Sequence, residues 1–174
     1  KALLAAGKRA QAHRKTDVNG IAAHEPDIDF SAVKDYVFDT IKTIEPNDSV
    51  ERFEGMGVKV IRQSAKFLST NTVQAGNDII TARYFVIATG SRAVVPFITG
   101  LDKDKCFTNE NIFDLRERPD HLLIIGGGPI GLEMAQAHRR LGCRVSVFDM
   151  GQILPRDDAD YVNIVRESLV KEGI

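Results

Sequence analysis

The chain has 174 residues, of which 43% are hydrophobic, and its 23 basic and 24 acidic residues give a formal net charge of -1. This length suffices for one ordinary hydrophobic core or two small ones, and the balanced charge excludes a broad basic surface for nucleic acid or an anionic membrane. Because no run of about 18 apolar residues is present, the sequence predicts a soluble, cytoplasmic protein without a membrane partner.

Two amphipathic helices are predicted at the start of the chain. Residues 1–14 are good helix formers, and Gly7 among them permits the close approach of a neighbour. A loop rich in turn residues follows over residues 15–29. Asp29 is suited to cap the second helix, which Pro46 must end. Apolar residues at helical spacing predict that one face of this helix is buried, namely Phe30, Val33, Val37, Ile41 and Ile44.

The middle of the chain predicts a short helix and a small antiparallel meander. Asp48 and Glu51 have the spacing of a capping box, and Gly55 or Gly57 is suited to end the helix. Four short β-prone runs, separated by turns, then lie at residues 58–61, 65–68, 72–74 and 78–81.

A different kind of strand is predicted over residues 84–88. This run is continuously apolar, as a strand buried on both faces must be, so we predict a parallel central strand. Turn residues and charges between Arg92 and Pro119 indicate a crossing between two domains. The remaining pattern is βαβα, with strands at 122–125 and 144–148 and helices at 129–141 and 161–172.

The strand at 122–125 leads into a glycine-rich turn of sequence Gly126-Gly127-Gly128-Pro129-Ile130-Gly131, which fits the pattern GxGxxG. The turn opens an amphipathic helix, and the next strand ends at an acidic residue about 20 positions later. In this context Gly126 permits a tight turn, Gly128 lets the backbone approach a pyrophosphate, and Gly131 lets helix and strand pack closely. The sequence therefore predicts a dinucleotide site in which amides at the helix start face the phosphates.

The acidic residue, Asp149, indicates which dinucleotide is bound. A carboxylate at this position can accept hydrogen bonds from both ribose hydroxyls but repels a 2'-phosphate, which favours NAD over NADP. Met150, rather than an arginine, follows it, whereas Arg156 lies close enough in sequence to keep NADP possible.

Cysteine and histidine indicate no site of their own. Cys106 and Cys143 lie far apart without CxxC or CxxxxC spacing, so we predict neither a zinc site nor a local redox pair, and we expect buried thiols. The four histidines are scattered, and the sequence His138-Arg139-Arg140 is typical of a solvated helix face.

With GGGPIGLEMA after a strand, IATGS after an earlier apolar run and an opening KALL, the chain resembles the glutathione reductase, dihydrolipoamide dehydrogenase and mercuric reductase family. These are the class I FAD-dependent pyridine nucleotide-disulfide oxidoreductases, and residues 47–53 are most similar to the mercuric reductase branch. The resemblance implies an α/β fold in which residues 1–100 form part of an FAD-binding Rossmann-like domain with an antiparallel meander. Residues 101–174 are then the first half of an inserted NAD(P)-binding Rossmann domain.

The same resemblance implies the residues that meet the flavin. Lys1 matches the lysine that follows the redox motif, which places its ammonium beside flavin N5 and pairs it with Glu133, the glutamate after the glycine turn. A buried lysine needs such a partner, because an unpaired buried charge is costly. Ala65 matches a position whose backbone meets the adenine of FAD, although Gln63 stands where the family usually has glycine. Close contact with the cofactor is also implied for Ala88, Thr89, Gly90 and Ser91.

The implied parent protein is a homodimeric enzyme that passes hydride from NAD(P)H through FAD to a redox disulfide or to a small-molecule substrate held by it. Alternatives are a dihydrolipoamide dehydrogenase, a soluble pyridine nucleotide transhydrogenase, or a non-catalytic nucleotide sensor on the same scaffold. Both ends of the chain are expected to be internal to a longer protein. Since the redox cysteine pair is not in this sequence, we expect the chain alone to have no turnover and marginal stability.

Overall fold

A computed structural model of the chain describes residues 1–15 and 20–174. These residues divide into two compact units: a first unit of Lys1–Ile41 with Glu110–Ile174, and a second unit of Lys42–Asn109. The helices are α1 (Ala2–Arg14), α2 (Phe30–Ile44), α3 (Val50–Gly55), α4 (Pro129–Arg140) and α5 (Ala159–Lys171), and the strands are β1 (Ala65–Ser69), β2 (Thr72–Ala75), β3 (Asp78–Thr81), β4 (His121–Ile125) and β5 (Arg144–Phe148).

The first unit contains a βαβα arrangement, as the sequence predicts. β4 and β5 pair in parallel, from His121 opposite Arg144 to Ile125 opposite Phe148, and α4 connects them. A parallel pair needs such a crossover, because a tight turn can join only antiparallel strands. The carboxyl ends of both strands therefore lie at the same edge, where the glycine turn and Asp149 follow.

Helix α1 packs along α4 through small residues. A side-chain carbon built on Gly7 would lie 3.2 Å from the carbonyl oxygen of Ala137, which confirms the predicted close approach at Gly7. Further along both helices, Arg14 donates a hydrogen bond of 2.7 Å to the carbonyl of Arg140. Around this contact, the main core joins three helices through Leu3, Phe30, Val37, Ala137 and Leu141.

Helix α2 begins where predicted, and Asp29 accepts a hydrogen bond of 3.0 Å from the amide of Ala32. The prediction that its apolar face is buried throughout is wrong at the carboxyl end, since Ile41 and Ile44 are 46% and 52% exposed. The core that α2 shares with α1 and α4 reaches only as far as Val37. The preceding loop, predicted over residues 15–29, includes residues 16–19, which lie outside the described residues.

Lys34 and His138 form a buried basic cluster. The prediction of a solvated face at the end of α4 is therefore wrong at His138. Both side chains are fully buried, and the Lys34 ammonium donates a hydrogen bond of 3.2 Å to the carbonyl of Ile112. One ring nitrogen of His138 bonds the carbonyl of Met134 at 2.9 Å. Burial lowers the pKa of His138, and the nearby Lys34 lowers it further, although the hydrogen bond to Met134 opposes both effects.

The arginines that follow His138 also turn inward rather than to solvent. Arg140 makes two hydrogen bonds, of 2.7 and 2.6 Å, to the carboxylate of Glu172, whose side chain is only 4% exposed. Arg139 donates to the backbone carbonyl of Glu172 at 2.7 Å. The end of α5 thus covers the end of α4, which is why this helix face is not solvated.

The second unit contains the predicted antiparallel meander, formed by β1, β2 and β3. Ala65 pairs with Ala75 in the first ladder, and Thr72 pairs with Thr81 in the second. Gly76, with a φ of +61°, lies in the hairpin turn between β2 and β3. Hairpin turns favour such left-handed residues, since their twist matches that of the strands.

The predicted strands at 84–88 and 58–61 do not form, so both predictions are wrong. Among the described residues, no strand pairs with 84–88, and Val86 and Ile87 are 91% and 74% exposed. Backbone groups of a central parallel strand need partners on both sides, and the completed meander offers none. Over 58–61, the amide of Val58 instead donates to the carbonyl of Phe53 at 3.0 Å and helps to end α3.

The α3 cap also differs from the prediction. Ser49, not Asp48, is the N-cap, and its hydroxyl accepts a hydrogen bond of 3.2 Å from the amide of Arg52. Asp48 belongs to the preceding 3-10 turn, Glu45–Asp48, so its side chain is one residue too early. The predicted end of the helix at Gly55 is confirmed.

The predicted α/β class, with an antiparallel meander followed by a parallel βαβ arrangement, is confirmed. The two compact units do not coincide with the predicted division at residue 100, and the assignment of 1–100 and 101–174 to two cofactor domains stays a prediction. Within residues 1–15 and 20–174, every helix is too short or too polar to cross a bilayer. Cys143 is fully buried as predicted, whereas Cys106 is only partly covered.

Candidate functional site

The glycine turn, residues 126–131, has the tight geometry that its pattern predicts. Gly126 has a φ of +112°, which side chains rarely allow, and its amide donates a hydrogen bond of 2.7 Å to the carbonyl of Phe148. A side-chain carbon on Gly131 would collide with the carbonyl oxygen of Gly126. Only glycine at position 131 lets α4 start this close to the end of β4.

The start of α4 is open and has no side-chain cap. Gly128 is the N-cap residue without a capping side chain, and Pro129 occupies the first helical position. A side-chain carbon on Gly128 would meet no atom within 4 Å, and Ile130 is 62% exposed. Uncapped amides at a helix start attract anions, because they are unpaired donors and carry the positive end of the helix dipole. The residues present therefore fit a diphosphate.

Asp149, directly after β5, faces the glycine turn. One carboxylate oxygen accepts a hydrogen bond of 2.7 Å from the amide of Gly127, and the other accepts one of 2.9 Å from the amide of Gly151. These bonds, with that to Gly127 the larger cause, hold the pKa of Asp149 below its ordinary value. The carboxylate is therefore ionised at neutral pH and fixed in orientation, with further lone pairs left to accept hydrogen bonds.

The sequence did not reveal that the segment after β5 folds back onto the glycine turn. The amide of Leu154 donates a hydrogen bond of 3.0 Å to the carbonyl of Gly127, and Ile153 lies against the same glycine. Leu154-Pro155 was the available signal, since a residue before proline has a restricted backbone. That dipeptide indicates a fixed bend but not the residue that it contacts.

Glu133 and Lys1 are both exposed, and among the described residues no ion pair joins them. Their pairing at a flavin is untested by this structure and stays a prediction. Glu133 lies at the wall of a hollow of about 220 Å³ between α4 and α5. The other residues lining this hollow are Pro129, Leu132, Gln136, Leu154, Val165 and Leu169.

The predicted flavin contacts of the second unit are also exposed. Ala65 is the first residue of β1, and Ala88, Thr89, Gly90 and Ser91 lie in neither helix nor strand. Gly90 has a φ of +68° with no atom within 4 Å of a side-chain carbon built on it. Their roles at FAD remain predictions. Across residues 1–15 and 20–174, histidine, cysteine and carboxylate side chains form no cluster suited to a metal ion.

The chain is similar along its whole length to known flavoenzymes. It is 32% identical to the mercuric reductase of Streptomyces lividans and 29% identical to the dihydrolipoyl dehydrogenase of Geobacillus stearothermophilus, covering 100% of this chain and 38% of each relative. The HOCl-induced flavoprotein disulfide reductase RclA from Escherichia coli has the same fold, with a TM-score of 0.76 at 23% identity over 99% of this chain and 36% of that one. The chain thus spans less than two fifths of these proteins.

A family model settles the classification. The model described as pyridine nucleotide-disulphide oxidoreductase matches residues 1–174. FAD and NAD(P)H, the cofactors expected from the sequence, are those of this family of enzymes. This chain belongs to the pyridine nucleotide-disulphide oxidoreductase family.

Proposed function

We propose that this chain provides the NAD(P)H site and part of the flavin site of an FAD-dependent oxidoreductase that reduces a redox disulfide or a substrate held by it, in the manner of mercuric reductase. The observation that carries this proposal is the open, uncapped start of α4 at Gly128 beside the fixed Asp149 carboxylate. When bound, NAD(P)H supplies a hydride and FAD accepts it.

The glycine turn is proposed to bind the diphosphate of the dinucleotide. Gly128 leaves room for the phosphates, and the amides of Ile130 and Gly131 are oriented by the helix that follows. Because the turn is held by the bond from Gly126 to Phe148, these donors are positioned before the ligand arrives. Preorganised donors bind an anion without a large ordering cost.

Asp149 is proposed to accept hydrogen bonds from the adenosine ribose and to favour NADH over NADPH. Its low pKa keeps it anionic, and an anion at this position repels a 2'-phosphate. Substitution Asp149→Asn should lower NADH affinity by about tenfold, the range for losing a hydrogen bond to a charged group, and should spare NADPH affinity. Asp157→Asn, which removes an exposed carboxylate from the same loop, is the matched control.

The decisive experiment is titration of the protein that carries this chain with NADH and with NADPH, with the flavin absorbance as the readout. We expect reduction by both, with NADH effective at the lower concentration. Reduction by neither dinucleotide would contradict the proposed function. Equal reduction by both would contradict only the role of Asp149.

Lys1 and Glu133 are proposed to form the ion pair at the flavin face. The start of α1 lies near the Glu133 end of α4, because Leu3 belongs to the core cluster against which Met134, the residue after Glu133, packs. Glu133→Gln should therefore shift the flavin spectrum and slow its reduction by NADH. Glu167→Gln, on the exposed face of α5, should leave both unchanged.

Ala65 and the segment from Ala88 to Ser91 are proposed to contact FAD through their backbone. Their support is that they are small or polar and exposed in the second unit. Gly90→Val is the direct test. A valine would strain the left-handed backbone at this position, and its side chain would enter the open space where FAD is proposed to lie. A lower FAD content in the purified variant is expected, and an unchanged content would contradict the contact.

The electron acceptor is proposed to be mercuric ion, with a lipoyl disulfide as the competing substrate. The relatives include proteins named mercuric reductase and dihydrolipoyl dehydrogenase at similar identity. NAD(P)H oxidation that depends on mercuric ion but not on lipoamide would support the first, and the reverse dependence would support the second. We further propose that the whole protein is a cytoplasmic homodimer, which light scattering and cell fractionation test.

A further inference from the structure

Gly127 is held on both sides of its backbone by the segment after β5. Its amide donates to the Asp149 carboxylate at 2.7 Å, and its carbonyl accepts from the amide of Leu154 at 3.0 Å. The dinucleotide pattern explains glycine at positions 126, 128 and 131, but it does not explain why the middle glycine is bound in this way.

Ile153 closes the remaining side of Gly127. A side-chain carbon built on Gly127 would lie 2.6 Å from Cγ2 and 3.1 Å from Cα of Ile153. The same construction at Gly128 meets nothing within 4 Å. A side chain at position 127 would therefore point into the segment after β5, whereas one at position 128 would point into the open space proposed for the diphosphate.

The backbone conformation of this segment is tightly restricted. Leu154 has a φ of +48°, a left-handed conformation that is unfavourable for leucine, and Pro155 restricts it further. Such conformations persist only where the surrounding contacts determine them. Here the contacts are the hydrogen bond to Gly127 and the packing of Ile153, and Gly151 at the other end binds Asp149 at 2.9 Å.

We propose that Ile153 and Leu154 are positioning residues for dinucleotide selectivity. By clamping the segment after β5 onto Gly127, they hold the Asp149 carboxylate where it receives the ribose hydroxyls of NADH and opposes the 2'-phosphate of NADPH. This inference rests on the proposed function, since it assigns selectivity within the same site. Ile153 and Leu154 touch no part of the ligand in this proposal and act through Asp149.

The test compares dissociation constants for NADH and NADPH in the protein that carries this chain. Ile153→Ala removes the cover on Gly127, so the selectivity for NADH should fall by roughly three- to tenfold, as expected when a binding group is misplaced. Gly127→Ala should lower it at least as far, because the added carbon collides with Ile153. The double variant should be more selective than Gly127→Ala alone, since the closest collision, with Cγ2 of Ile153, is removed.

Selectivity is the readout because a general loss of stability weakens both ligands alike and leaves their ratio unchanged. Ile153→Val keeps Cγ2 and should retain the wild-type ratio, and Ile164→Ala, on the exposed face of α5, should do the same. A wild-type ratio in Ile153→Ala, or independent effects in the double variant, would overturn the clamp. Failure of the wild-type protein to bind either dinucleotide would instead overturn the proposed function.

Discussion

The two units bury apolar side chains to very different extents. The first unit joins helices and strands through buried residues that include Leu3, Phe30, Ala135 and Val145. The second unit buries only Val73 and Ala75 among its described apolar residues. Its segment after the meander exposes large apolar side chains, namely Val86, Val94 and Phe97, at 88% or more.

This difference follows from whether the elements of each unit find others to pack against. In the first unit, β4, α4 and β5 are consecutive, and each covers the next within a short stretch of chain. In the second unit, the meander satisfies its own hydrogen bonds, and the apolar run at 84–88 is left without a neighbouring strand among the described residues. The second unit therefore leaves apolar residues exposed, whereas the first unit covers its own even between elements far apart in sequence, such as α1 and α4.

The largest loss of stability is expected at a glycine with close neighbours, compared here with a glycine that has none. Gly131→Ala places a carbon against the carbonyl of Gly126, and backbone cannot yield there without losing the turn. We expect the free energy of unfolding to fall by about 4 kcal/mol, the upper range for single substitutions. Gly55→Ala, in α3 of the second unit, meets no atom within 4 Å and should leave the stability unchanged or slightly higher. Urea unfolding of both variants checks this, and equal stability of the two would break the contrast.

How much of the structure could be predicted depends on whether residue spacing records the feature. The glycine turn and the position of Asp149 follow a fixed spacing that the sequence records. A glycine inside a helix, as at Gly7, indicates a close approach but not its partner, Ala137. The inward position of His138 depends on α2, whose Phe30 ring lies near it and which is far away in sequence, and helical periodicity does not record that neighbour. The clamp of Ile153 on Gly127 escaped prediction for a similar reason, because an isoleucine in a loop has no periodic pattern.

A second prediction compares a buried ion pair in the first unit with an exposed pair in the second. Glu172→Gln leaves Arg140, whose side chain is 17% exposed, without its charge partner, which should cost about 3 kcal/mol of unfolding free energy. Asp78→Asn breaks the pair with Lys59, whose side chain is 74% exposed, and should cost about 0.5 kcal/mol or less. Chemical denaturation measures both, and a similar cost for the two would show that burial does not set the difference.

Acid should reproduce the loss of the Glu172 pair. The hydrogen bonds from Arg140 are the main cause that holds the pKa of Glu172 below its ordinary value, outweighing the opposing effect of burial. A carboxylate with a lowered folded-state pKa stabilises the protein above its unfolded-state pKa, and that stability is lost as the pH falls towards the folded-state value. The Glu172→Gln variant should lose less stability in this acidic range than the wild type.

The buried basic cluster predicts a smaller dependence at milder acidity. Burial lowers the pKa of His138, so the unfolded state takes up the proton first, and stability should decrease as the pH falls from about 7 to about 5. His138→Leu should flatten this part of the profile, whereas His121→Gln, an exposed site, should not. An unchanged slope in His138→Leu would show that His138 is not responsible.

The smallest expected effect concerns the N-cap of α3 in the second unit, which buries fewer side chains than the first. Ser49 caps α3 through a hydrogen bond to the amide of Arg52, so Ser49→Ala should cost about 1 kcal/mol, as for other N-cap residues. Asp48→Ala should cost less, because Asp48 precedes the cap and makes no capping bond to α3. The free energy of unfolding of the two variants, measured with a probe in the second unit, distinguishes them. A larger loss for Asp48→Ala would restore the capping box predicted from sequence and would place the start of α3 one residue earlier.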